Sequence, residues 1–264
     1  MIRFAGSTVA FAAAGVLASA AASPSGQYGG PTSQKVGATA LRITLTVAGG
    51  TLTDVNVDAI VDLGGRACSL SGDDGSNFDF SKDSARIDGQ GKFDGTLKDP
   101  NSESAKISGR VTGQTVTGSF EIKARGEGET AATCSSGKVT FTANAAGGQT
   151  EGAKYSGTVG PGYPISFRVS ANGSELEDVA VSIEATCQPG AGDIAPVYDF
   201  KTLEITSGKF SGSVFAQHGS TVSDSIRVSG TFFGRTAVGE VTDLSHIKSL
   251  PDCTDSEPFT ATAT

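Results

Sequence analysis

Leu176-Glu-Asp-Val-Ala-Val-Ser-Ile-Glu-Ala-Thr-Cys187 sets Val179, Val181, Ile183, Ala185 and Cys187 on one parity. Successive side chains of a strand point to opposite faces, so this alternation predicts a half-buried β-strand that carries its cysteine into a core. Leu52-Thr-Asp-Val-Asn-Val57 repeats the opening of that stretch, and Val55, Val57, Ala59, Val61 and Leu63 repeat its parity. Cys68 comes later and off that parity, which predicts a bulge or loop around Gly64-Gly65.

Working outward, the two stretches prove to be parts of one repeat. Asn77-Phe-Asp-Phe80 answers to Val197-Tyr-Asp-Phe200, and Gly91-Lys-Phe-Asp-Gly95 to Gly208-Lys-Phe-Ser-Gly212. Ile107-Ser-Gly109, Gly113 and Gly118 match Val228-Ser-Gly230, Gly234 and Gly239, and Phe141-Thr-Ala143 matches Phe259-Thr-Ala261. Cys68 and Cys134 are separated by the same number of residues as Cys187 and Cys253. Two long copies make a tandem domain pair, since solenoids need three or more short units.

The same alternation recurs in Leu41, Ile43, Leu45 and Val47, in Ile165, Phe167 and Val169, and in Val139, Phe141 and Ala143. Ala48-Gly49-Gly50 and Asn172-Gly173 suit tight hairpins, because Gly and Asn tolerate positive φ; Gly113 and Gly234 mark a second shared hairpin. With 36 glycines and no amphipathic helical pattern beyond the N-terminus, the expected fold is all-β. It comprises two tandem antiparallel β-sandwich or small β-barrel domains, each with about seven or eight strands and one disulfide.

Residues 1–22 read as a secretory signal peptide: Arg3, an apolar alanine-rich stretch from Phe4 to Leu17, and small-residue cleavage sites. The apolar run falls short of the about 20 residues that a membrane helix needs. Residues 23–35 are expected to be a flexible N-terminal lead, 36–143 the first β-domain, 144–153 a linker and 154–264 the second. Export to a secreted, extracellular or cell-envelope location is compatible with disulfides. Because each copy should fold alone, the repeat favours Cys68–Cys134 and Cys187–Cys253. A zinc site fits poorly, with no CxxC and only His218 and His246 to assist.

Catalytic motifs are scarce. No GxSxG occurs, and neither histidine has a counterpart in the first copy. Gly126-Glu-Gly-Glu-Thr-Ala131 precedes a strand rather than a helix, which removes the phosphate-binding reading. Asp73, Asp74, Asn77 and Asp79 form an oxygen-rich loop that would suit calcium, but the spacing departs from an EF-hand and a solvated turn explains it as well. Glu175, Glu177 and Asp178 carry no mark of a facing acid pair. Asn172-Gly-Ser174 is a formal glycosylation sequon that its hairpin position also explains. Tyr28, Tyr155, Tyr163, Tyr198, Phe200, Phe210, Phe232 and Phe233 are expected mostly in the core rather than in a sugar-stacking face. A net charge of −8 without a basic run argues against nucleic acid and anionic membranes.

Tyr155-Ser-Gly157, Pro164-Ile-Ser-Phe-Arg-Val169, Gly208-Lys-Phe-Ser-Gly212, Val228-Ser-Gly-Thr231 and Thr236-Ala-Val-Gly239, closed by Cys253, resemble a type of uncharacterised secreted β-domain found, often in tandem, in high-GC, actinobacterial-type bacteria. Cys134-Ser-Ser-Gly137 keeps the ending of that pattern, whereas Cys253-Thr-Asp-Ser256 departs from it. The resemblance implies fold and export, and transfers no catalytic residue. The expected function is a non-catalytic extracellular or envelope module that binds a glycan or a protein. Alternatives are a secreted hydrolase or enzyme inhibitor using loop carboxylates, and a structural spacer.

Overall fold

The computed structural model describes residues 25–62, 76–99, 103–125, 133–183, 197–218, 222–247 and 253–264. The described residues are all-β, and they build two antiparallel barrel-like sheets in tandem, of which the second is a closed barrel. The first barrel contains β1 (Gly26–Val36), β2 (Thr39–Ala48), β3 (Thr51–Ala59), β4 (Ser76–Phe80), β5 (Ala85–Arg86), β6 (Lys92–Lys98), β7 (Ser104–Thr112), β8 (Thr115–Arg125), β9 (Thr133–Ser135) and β10 (Val139–Ala145). The second contains β11 (Lys154–Val159), β12 (Tyr163–Val169), β13 (Glu175–Ser182), β14 (Val197–Thr206), β15 (Lys209–His218), β16 (Val222–Phe233), β17 (Thr236–Ile247) and β18 (Cys253–Ala263).

The second barrel is a closed eight-stranded meander in which β11 pairs with β18. The first follows the same path with two of its staves broken. β4 and β5 together stand where β14 runs unbroken: both pair with β3, and an Ile87–Phe93 bridge joins the segment to β6. β9 and β10 together stand where β18 runs unbroken, both pairing with β8. The barrel alternative of the expected fold is the one realised, because each meander curls until its first and last strands meet.

Parity decides what is inside. Val55, Val57, Ala59, Val179, Val181 and Ile183 are buried, as the opening stretch predicts. Tyr155, Phe167, Phe210, Phe232 and Phe259 fill the second barrel with ring contacts from 5.2 to 6.3 Å. Each fully buried side chain of this size stabilises by about 1.5–3 kcal/mol relative to exposure. Tyr28 and Tyr155 hold equivalent places, and each donates its hydroxyl hydrogen to a hairpin carbonyl, Gly113 at 3.4 Å and Gly234 at 3.2 Å.

Two boundaries need correction. Most of the expected lead, 23–35, is strand: β1 pairs with β2 and β10 and buries Tyr28. Gly and Pro there suggest a loop, yet the ladder absorbs Pro31 at a register shift between Pro31 and Lys35. The linker at 144–153 begins inside β10, and Gly147 forms a bridge to Phe233 of the second barrel. The Gly64-Gly65 bulge, the signal peptide, Cys68 and Cys187 fall outside the described residues. Cys134 is buried and disulfide-bonded.

Candidate functional site

The barrels pack side by side, with β1 and β2 of the first against β16, β17 and β18 of the second. Phe233 lies on the outward parity of β16, beside inward Phe232, and yet has 0% exposure. Its ring rests on Gly29, where any Cβ would lie 2.5 Å from the ring. Thr39 Oγ1 donates to Thr158 Oγ1 at 2.6 Å, and Thr260 Oγ1 to the Ala40 carbonyl at 3.0 Å. Gly147 N donates to Phe232 O at 2.8 Å and Gly234 N to Gly147 O at 2.9 Å, which ties the linker to the second barrel.

Beside this seam opens a polar cleft of two lobes, about 660 and 550 Å³. The larger takes Gln27, Thr44 and Asn56 from the first barrel and Glu204, Thr206, Lys209, Ser211, Arg227, Ser229 and Thr231 from the second. Arg42, Asn56 and Glu240 line both lobes. Arg42 divides them: its Nε donates to Asp58 Oδ2 at 2.6 Å, and a terminal nitrogen donates across the seam to the Gly239 carbonyl. Asn77 Nδ2 donates to Asp58 Oδ1 at 2.8 Å and to Asn56 Oδ1 at 2.6 Å.

Asp58 sits on the outside of its barrel with a side chain only 7% exposed, enclosed by Arg42 and Asn77 at the edge of the smaller lobe. A carboxylate buried in this way requires its cation, and removing one member of such a pair typically costs about 3–5 kcal/mol. Arg227 and Lys209, by contrast, are exposed and form no ion pair among the described residues. The cleft thus presents hydroxyls, amides, two uncommitted cations and the carboxylates of Glu204 and Glu240 to whatever enters it.

The residues singled out from sequence are dispersed. Asn77 joins the cleft, held by Asp58 and Asn56. Asp79, also on β4, accepts from the Ser81 backbone N–H at 2.8 Å. Asp73 and Asp74 lie outside the described residues, and no group of three or more His, Cys, Asp or Glu placed to hold a metal occurs among those described. Asp178 pairs with Arg168 at 3.9 Å on the surface of β13. The backbones of His218 and His246 lie in β15 and β17. Of the aromatic residues, Tyr28, Tyr155, Tyr198, Phe200, Phe210, Phe232 and Phe233 are buried. Arg42, Asp58, Arg227 and Phe233 were not legible as a site. Divergence between the aligned copies finds three of them and their seat, since the counterparts of Arg42, Asp58, Gly29 and Phe233 are Pro164, Ser182, Ser156 and Thr112; it does not find Arg227, whose counterpart is the equally cationic Lys106.

No family model matches the chain. No curated protein matches it either. A crystal structure from Bacteroides fragilis, described as a candidate outer membrane protein, aligns at 13% identity over 91% of this chain and 97% of its own, with a TM-score of 0.27. A score that low carries no inference about function.

Proposed function

We propose that the chain is an extracytoplasmic binding module, secreted or held in the cell envelope, whose ligand occupies the cleft between its barrels. The observation that carries this reading is a cleft walled by side chains from both copies and rich in hydrogen-bonding groups. Concave sites at domain interfaces, with polar groups converging from several strands, are where ligands most often bind. The lining of Thr, Ser, Asn, Gln and Arg matches a hydroxyl-rich ligand, of which a neutral oligosaccharide is the foremost class. The outward positions of both barrels are mainly Ser, Thr and charged residues and the interiors are apolar, the reverse of a lipid-spanning barrel, which supports a water-exposed setting.

The test is retention of the purified protein on cell-wall and soluble neutral glycans, followed by calorimetry on any that binds. Arg227→Ala and Asn56→Ala are expected to weaken binding by roughly fivefold to a hundredfold, as loss of a ligand hydrogen bond does. Retention on no glycan, or binding indifferent to both substitutions, counts against the cleft.

A further inference from the structure

The wall of the larger lobe has a twin. Lys209, Phe210, Ser211, Ser229, Gly230 and Thr231 of the second barrel correspond to Lys92, Phe93, Asp94, Ser108, Gly109 and Arg110 of the first, which line a groove of about 570 Å³. In the second barrel the other copy roofs this surface. In the first barrel nothing among the described residues covers it.

The two surfaces share cations at Lys92 and Lys106, which correspond to Lys209 and Arg227, and differ in charge at the other four cationic positions of the first. On the first barrel, the outward positions of β5 to β8 carry Arg86, Lys92, Lys98, Lys106, Arg110 and Lys123, all exposed. None of the six forms an ion pair among the described residues. The row Lys98–Ser104–Lys123 occupies the places of Phe215–Ser225–Leu244, Arg110 that of Thr231, and Arg86 that of Glu204. Lys92 stands directly across the ladder from Arg110. Like charges opposite one another destabilise a sheet, and the carboxylate of Asp88, which interacts with both, offsets part of that repulsion. Three carboxylates share the face, Asp88, Asp94 and Glu121. Asp88 is engaged by the backbone N–H groups of Gln90 and Lys92, both at 2.8 Å. The face therefore carries a net positive charge on a chain whose total is −8.

We propose that this face, the outer surface of β5 to β8, binds an anionic polysaccharide, with carboxylate- or phosphate-bearing sugars lying across Lys92, Arg110 and Lys106. It is a second site, separate from the cleft. Beyond the Lys92–Arg110 pair, the cations lie several residues apart along neighbouring strands, which suits a polymer with repeated charges better than one compact anion. The only aromatic residue in the groove is Phe93, which is buried, so the face offers no ring on which a nucleic-acid base would stack.

The experiment uses the whole protein and polygalacturonate as probe, with single-stranded DNA and a neutral glucan alongside. Polygalacturonate is expected to retain the protein at low ionic strength and to release it as salt screens the contacts. Lys92→Glu with Arg110→Glu should weaken retention on the order of tenfold, from two reversed surface charges of up to about 1 kcal/mol each. Lys106→Gln should weaken it less, and Arg227→Ala in the cleft not at all. Circular dichroism verifies that each variant is folded, and Lys106→Gln supplies the test should the double reversal unfold. The proposal is overturned by absence of retention, by indifference to both charge variants, by an equal loss in Arg227→Ala, or by tighter binding to DNA. Neutral-glycan binding in the cleft is read separately, so either site can fail without the other.

Discussion

Asp54 and Asp178 occupy the same place in the two copies, and both adopt left-handed backbone, with φ of 47° and 52°. Each lies where the ladder to the preceding strand slips register, between Thr44 and Thr46 and between Ser166 and Arg168. Such a bulge needs a residue that tolerates positive φ, and Asp does so far better than a β-branched residue. Asp54→Val is expected to lose about 1–2 kcal/mol in urea titration, while Asp54→Gly should be close to neutral; equal losses in both would remove φ as the cause. The repeated Leu-x-Asp-Val-x-Val was legible in the sequence, but the sign of φ was not, since apolar alternation is silent about a one-residue slip. Asp88 carries a pH prediction. The N–H of Lys92, then that of Gln90, and the charges of Lys92 and Arg110 hold its carboxyl below the usual aspartate range, outweighing its desolvation. A depressed carboxyl pKa adds stability that is present above the unfolded value and lost as pH falls through the folded one. The Lys92 and Gln90 amide resonances should therefore titrate together below the ordinary aspartate midpoint, and a shared midpoint at or above it would refute the assignment.

At the scale of strands, the repeated glycines have a mechanical reason. Gly109 pairs with Gly118 and Gly230 with Gly239, all on the inward parity of their strands. Phenylalanine rings from neighbouring strands fill the space they leave. A Cβ at Gly230 would lie 2.5 Å from the Phe210 ring and 3.0 Å from that of Phe259. Gly230→Ala is expected to cost about 1–3 kcal/mol through overpacking. Adding Phe210→Leu should recover part of that loss, a coupling that a double-mutant cycle reads directly. Additive losses would mean that the ring is not the obstacle. Most strands were legible because their inward residues are large and apolar at every second position. β1 was not, because Gly26-Gln-Tyr-Gly-Gly-Pro31 presents a single large apolar side chain, Tyr28, and tertiary packing places it.

The relation between the barrels depends on residues that alternation alone would assign to solvent. Phe233 occupies an outward position, as does Arg42, and each meets the other barrel there, Phe233 at Gly29 and Arg42 at the Gly239 carbonyl. A cleft whose walls come from strands far apart in sequence leaves no local pattern, which is why the candidate site was invisible where the fold was not. The seat of Phe233 on Gly29, set among the Thr39, Arg42 and Thr260 hydrogen bonds across the seam, makes a sharp prediction. Gly29→Leu would force a side chain into the space of Phe233, whose seat tolerates no Cβ. Phe233→Ala would instead empty that seat, with a loss of about 3 kcal/mol by analogy with buried phenylalanines. Both variants should keep their β-sheet circular dichroism, since neither residue faces a barrel interior, yet gain radius of gyration in small-angle scattering as the barrels separate. Undocking should abolish neutral-glycan binding in the cleft, which needs both walls, and leave polygalacturonate binding intact, because β5 to β8 belong to one barrel. If Gly29→Leu leaves the scattering unchanged, the seam is not held by Phe233. If it separates the barrels and the cleft ligand still binds, that ligand needs only one wall, and the two-copy site is wrong.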